Sequence, residues 1–212
     1  MKTILRKTGC IYCVIAPNTR ELARIFVRLQ EFYESPFKEI RGNYFTLKEF
    51  KAIYSKDKDG VFTYYDDWAG FNVPGHVVVE FFKRFTDLSP KERMLKKLLL
   101  EALTQDEKFY VIGVQQRNNR ATLEHEIAHA LFYTNPVYKK TMLKHGRKLS
   151  PRVRKQVFDK LKKMGYCGIV RYDELQAYMA TSRLVDLIHW FGQGIIASHS
   201  KPFKHTFKKW HR

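Results

Sequence analysis

An apolar run over 9–16, closed by Pro17, predicts a strand. From Thr19 to about Tyr33 apolar residues recur every three or four positions, the period of a helix with one buried face. Asn18-Thr19-Arg20-Glu21 is a capping-box-like start for that helix. β-prone pieces follow near 43–47 and 60–65, and the Gly- and Pro-punctuated aromatic stretch 68–75 reads as a loop bordering a cleft or packing locally. Ser89-Pro90-Lys91-Glu92 is a capping box with proline at the first helical position, leading a helix to about Leu103. A short apolar segment, 109–114, predicts a strand, read here as an edge able to pair with an extended peptide. A helix is predicted over 121–134, with Asn118 and Asn119 available to cap it, Leu123, Ile127, Ala130 and Leu131 as its apolar stripe, and Asn135-Pro136 at its end. Ser150-Pro151 opens another helix. A last long helical pattern runs from Tyr172 to about Phe191, with Asp173 as its N-cap.

Within the 121–134 helix stands His125-Glu126-Ile127-Ala128-His129, an H-E-x-x-H motif. Histidines four residues apart share one helical face, so both rings can reach one zinc ion at about 2.0–2.1 Å. Glu126 lies one residue's rotation away, where it can take a proton from a water on the metal without occupying a coordination position. A catalytic zinc needs a third protein ligand and an open position. Two donors downstream can supply it. Glu174 follows Asp173 at the start of the last predicted helix, and His145 sits in Lys144-His145-Gly146. Both suit zinc; Glu174 has the better matched helix. Tyr178, four residues beyond Glu174 on the same face, is the first choice for a donor to the tetrahedral oxyanion, ahead of Tyr172 and His189.

The motif followed by a glutamate on a second helix resembles the gluzincin metallopeptidases. The Asp173-Glu174-x-x-Ala177-Tyr178 context is similar to that of small, minimal gluzincin-like proteins. The likeness spans about 109–187. It implies an α+β zincin-like fold, a small mixed sheet with an edge strand packed on the motif helix and on a glutamate-bearing helix. It also implies a Zn2+ cofactor and hydrolysis of a protein or peptide substrate. A weaker resemblance, carried by His145 at about the required spacing, is to the SprT-like metallopeptidases, which act on proteins crosslinked to DNA. Arg147 and Lys148 depart from that pattern where a proline-containing turn is expected, and no four-cysteine zinc ribbon is present.

Charge adds a second theme. The 212 residues hold 39 Lys and Arg against 21 Asp and Glu, a formal net charge of +18. From Lys139 to Lys163 the cations are dense and the only acid is Asp159; the tail 201–212 interleaves cations with Phe203, Phe207 and Trp210. Such a surface can engage an acidic protein, a nucleic acid or an anionic membrane surface. A non-catalytic, basic nucleic-acid-binding protein is therefore the rival reading, although no complete nucleic-acid-binding motif is visible.

Length and the 44% apolar fraction suit one domain. Within it we distinguish an N-terminal mixed α/β part (1–104), a zincin core (105–192) and a basic aromatic tail (193–212). No apolar run is long enough to span a membrane. The N-terminal apolar stretch is brief and interrupted by Tyr12, so it reads as a strand rather than a signal peptide. Cys10 and Cys13 form a lone C-x-x-C with Cys167 far away, which we read as buried thiols in a reducing compartment. A cytoplasmic location follows as the expectation, with delivery into another cell as an effector the alternative.

Overall fold

A computed structural model describes residues 2–56, 58–105, 108–116, 120–164, 166, 168, 170–192 and 199–211. The fold is α+β: among the described residues, twelve helices and one four-stranded mixed sheet. Packing divides the chain into two compact units, Met1–Thr122 and Leu123–Arg212. No helix among the described residues is long and apolar enough to cross a membrane.

The first unit is built on the sheet. β1 (Ile4–Thr8) and β2 (Ile11–Ala16) form an antiparallel hairpin with Leu5 opposite Val14. β2 runs parallel to β4 (Tyr110–Gln115), Tyr12 opposite Val111, and β3 (Gly70–Pro74) pairs antiparallel to β4 on its far side. The strand order β1-β2-β4-β3 places β4 inside the sheet, not at its edge as predicted. Its first five residues are all buried, the pattern of a strand covered on both faces, and both of its hydrogen-bonding sides are already paired. β3 was missed because its ends, Gly70 and Pro74, read as loop; proline is tolerated here because β3 is an edge strand.

Alternation along β2 buries Tyr12, Val14 and Ala16. Against these lies α1 (Thr19–Glu34), capped by the Asn18 side chain and contributing Leu22, Ile25, Phe26 and Leu29. Phe26 stacks on Phe71 of β3 with centroids 5.4 Å apart and covers Gly113 of β4, where a Cβ would stand 2.6 Å from the Phe26 ring. Only glycine allows α1 to lie this close. Buried Arg28 ties α1 to α5 (Pro90–Leu98) through a two-pronged bond to Glu92 at 2.8 and 2.6 Å. The predicted capping box at Ser89 is present; α5 stops at Leu98 and a separate α6 (Leu100–Gln105) follows.

The β-prone stretches at 43–47 and 60–65 are not strands. Thr46 and Glu49 form a full capping box that opens α2 (Leu47–Ser55), and Tyr64 starts the short α3 (Tyr64–Asp67). Their aromatic residues pack ring on ring, Phe50 against Phe62 and Tyr64, so the pattern that resembled strand is core aromatic burial. α4 (Gly75–Arg84) completes the unit. Cys10, in the hairpin turn, and Cys13, on β2, are half-buried rather than fully buried and form no disulfide; Cys167 lies outside the described residues.

The second unit is helical. α7 (Arg120–Thr134) carries the histidine motif; its predicted caps, Asn118 and Asn119, lie outside the described residues. Asn135-Pro136 ends α7 and also starts α8 (Pro136–Lys148), because the Asn135 side chain accepts from the backbone of Val137 and Tyr138. Ser150 and Pro151 open α9 (Pro151–Lys163) as predicted. The long final helix divides into α10 (Arg171–Thr181) and α11 (Leu184–Phe191), broken at Ser182-Arg183. The basic tail contains α12 (Ser200–Trp210), whose Phe203 and Phe207 are buried in the core of this unit and therefore unavailable for stacking on a base. α10 is central, packed by α8, α9 and α12. Gly146 lets α8 approach it: a Cβ there would already be 3.1 Å from Leu175 and from Tyr172.

Candidate metal centre

Two helices distant in sequence bring the predicted donors together. His125 and His129, one turn apart on α7, present their Nε2 atoms 3.2 Å from each other. From α10, Glu174 places Oε1 3.6 Å from His129 Nε2 and Oε2 3.9 Å from His125 Nε2. One donor atom from each of the three residues falls within a set spanning no more than 4.8 Å. Donors about 2.0–2.1 Å from a common tetrahedral ion stand roughly 3.3 Å apart, so the three side chains fit a metal with only small adjustment. Two imidazoles and a carboxylate are a donor set that suits zinc among divalent metals.

The surroundings orient this set. His129 is almost fully buried, and its Nδ1–H donates to Asp173 Oδ1 at 2.9 Å, which turns Nε2 toward Glu174 and His125. Asp173 is not the predicted N-cap: it lies inside the first turn of α10, one residue before Glu174, and Val170 holds the cap position without a side-chain bond. The same Oδ1 accepts from Gln176 Nε2 at 3.0 Å. Gln176 also donates to the Ala128 carbonyl of α7 at 3.2 Å and accepts from Tyr138 of α8 at 2.8 Å. A chain of hydrogen bonds thus joins Tyr138, Gln176, Asp173 and His129 and locks α10 to α7.

Protonation follows from this geometry. Burial, then the charge on His129, pushes the His125 imidazole down to about 3, so it is neutral near pH 7. Burial opposes charge on His129 too, but Asp173, Glu174 and Glu126 outweigh it and hold its pKa well above the usual imidazole value. The two Nε2 atoms face each other at hydrogen-bond distance, 3.2 Å. A divalent cation held by these nitrogens would compete with protons for them.

Glu126 is buried, 7% exposed, and its charge reaches His129, Tyr166 and Tyr178. Tyr178 sets its ring against His125 with centroids 4.8 Å apart, and its hydroxyl lies 2.9 Å from that of Tyr166. Burial raises the pKa of both phenols, so both keep their protons at neutral pH. The weaker candidates lie elsewhere: Tyr172 packs on Phe158, and His189 is exposed on α11. His145 is not among the converging donors. Its Nε2 is 3.0 Å from Thr206 Oγ1 and its ring packs on Phe203, which fastens α8 to α12.

Sequence reasoning missed Asp173 as the partner of His129, and missed Gln176, Tyr138 and Tyr166 altogether. The adjacent acids Asp173-Glu174 were the available signal, since consecutive carboxylates at a helix start can address the two nitrogens of one imidazole. Tyr166 lies outside any regular element and offered none. No family model matches the chain, and neither a curated protein nor a solved structure is found to be similar to it.

Proposed function

We propose that the chain is a zinc-dependent metallopeptidase, with His125, His129 and Glu174 as metal ligands and Glu126 as general base. The observation that carries this reading is the convergence of those three donors from α7 and α10, with a buried glutamate next to the first histidine. Bound zinc would supply Lewis acidity, polarising the scissile carbonyl and making water a competent nucleophile near neutral pH. Glu126 takes the proton of the attacking water and returns it to the departing amine, so the carboxylate ends each cycle unprotonated. Asp173 engages Nδ1 of His129, which would leave its Nε2 lone pair to hold the metal. The protonated Tyr178–Tyr166 pair is suited to donate a hydrogen bond to the oxyanion as charge develops.

Elemental analysis of the purified chain tests the first part. About one zinc per chain is expected in the wild type, with loss in Glu174→Ala and His125→Ala and retention in His145→Ala. Mass spectrometry of a diverse peptide library tests the second part. Cleavage by the wild type but not by Glu126→Gln, with equal zinc in both, is the expected result. Metal loss on His145→Ala alone would transfer the third-ligand role to that residue and overturn the assignment of Glu174.

A further inference from the structure

The +18 charge is not spread evenly. Of the 39 Lys and Arg residues, 18 belong to the second unit, against six of the 21 acids. Those acids are largely committed: Glu126, Asp173 and Glu174 gather at the histidines, Asp159 pairs with Lys155 and Asp186 with Arg183. Among the described residues, the lysines of α8 and α12 have no carboxylate partner. The charges act on one another instead. Burial and then Lys208 push the Lys204 pKa down; burial and then Lys148 and Lys144 push down that of His145.

Between α8 and α12 lies a groove of about 520 Å³. Lys201, His205, Lys209 and Trp210 of α12 line it together with Thr141 and His145 of α8. Lys201, His205 and Lys209 lie four residues apart on one face of α12, about 6 Å per step along the axis, so the two lysines stand roughly 12 Å apart in a row suited to a polyanion rather than to a single ion. Trp210 is 37% exposed and offers an aromatic surface at one end of the row. Phe203 and Phe207 are buried, so α12 presents no apolar stripe for insertion into a lipid surface. A duplex is read by an element that enters its groove, whereas here the protein surface is concave.

We propose that the α8–α12 groove binds single-stranded nucleic acid, with Lys201 and Lys209 on the backbone phosphates and Trp210 stacked on a base. Lysines that track phosphates beside an aromatic platform are the two elements of sequence-tolerant single-strand binding. The inference is independent of the metal reading, because no proposed ligand lines the groove.

The test is fluorescence anisotropy of a labelled oligothymidylate titrated with the full chain at several salt concentrations. Trp210→Ala is expected to weaken binding by about 5- to 160-fold. Lys201→Gln/Lys209→Gln is expected to weaken it at least tenfold and to flatten the dependence of log affinity on log salt by roughly 1.4, about 0.7 per phosphate contact. Lys162→Gln/Lys163→Gln on α9 removes the same charge from outside the groove and should have a much smaller effect. These lysines are exposed, so the charge variants test the groove even if Trp210→Ala unfolds. Absence of binding at low salt, equal weakening by the α9 pair, or tighter binding to polyglutamate or to phosphatidylserine vesicles than to the oligonucleotide would each overturn the proposal.

Discussion

Replacing Asp173 separates the orientation of His129 from the supply of a ligand. Asp173 Oδ1 accepts from both His129 Nδ1 and Gln176 Nε2, at 2.9 and 3.0 Å. Asp173→Asn keeps an acceptor oxygen for both donors and removes only the charge. Asp173→Ala removes both bonds and frees the imidazole to rotate or change tautomer. Loss of an outer partner of a metal-bound histidine typically costs 10- to 100-fold in metal affinity. We expect zinc to bind about 10-fold more weakly in Asp173→Asn and about 100-fold more weakly in Asp173→Ala, with both still above Glu174→Ala. The metal-free protein should respond as well. His129 is buried and charged beside Asp173, and an orphaned donor of this kind costs about 1–3 kcal/mol. Asp173 is partly exposed and His129 can shed its proton, so the lower half of that range is expected. Competition with a chromophoric chelator measures affinity, and urea melts in excess chelator measure stability. Wild-type zinc affinity in Asp173→Ala, alongside lost affinity in Glu174→Ala, would refute the orienting role. Unchanged affinity in both would refute the metal centre itself.

Three further outcomes follow from the geometry. The pKa of His129 is raised and that of His125 lowered, so zinc binding near pH 7 should release about one proton from the ligands; calorimetry in buffers of different ionisation enthalpy measures it, and an observed heat independent of buffer contradicts it. The folded pKa of His125 is depressed from 6.5 to about 3, so it favours the folded state above pH 6.5 and loses that contribution as the pH falls toward 3. His129, with its pKa raised, has the opposite sign: its contribution is complete below pH 6.5 and is lost as the pH rises through its folded value. Chelator-treated protein should therefore lose up to about 1.4 kcal/mol per pH unit below pH 6.5 through His125, a slope that His125→Gln removes. Gly113→Ala drives a Cβ to 2.6 Å from the fully buried Phe26 ring and should destabilise the first unit by about 1–3 kcal/mol in urea; a loss under ~0.5 kcal/mol would show that α1 can withdraw freely.

Much of the local structure is legible in the chain because its signals are local. Asn18, Ser89 and Ser150 cap α1, α5 and α9 where the pattern places them, since capping depends on residues within one turn. The pairing of His125 with His129 is equally local, a consequence of helical spacing. The errors arise where a residue's neighbours come from elsewhere. The aromatics at 60–65 resemble strand residues, yet they pack around Phe50, and the Thr46 capping box commits the following segment to helix. The apolar segment at 109–114 gave the strand but not its position. Its uninterrupted burial marks an interior strand, and its neighbours β2 and β3 lie at sequence distances that no short window spans.

The linear sequence determined the motif, its helix, the two downstream donors that zinc chemistry accepts and the excess of positive charge, because each depends on residue type and short-range spacing. Tertiary packing brought Glu174, and not His145, beside the two histidines: Gly146 lets α8 lie against α10 while His145 is held by Thr206 of α12, and Gln176 joins α10 to the carbonyl of Ala128 on α7. Tertiary packing also turned Asp173 from a prospective cap into the partner of His129, and buried Phe203 and Phe207 while leaving Trp210 beside the lysines of the groove. Each of these outcomes depends on the direction in which a side chain meets an element distant in sequence, and that direction is set only when the helices have packed.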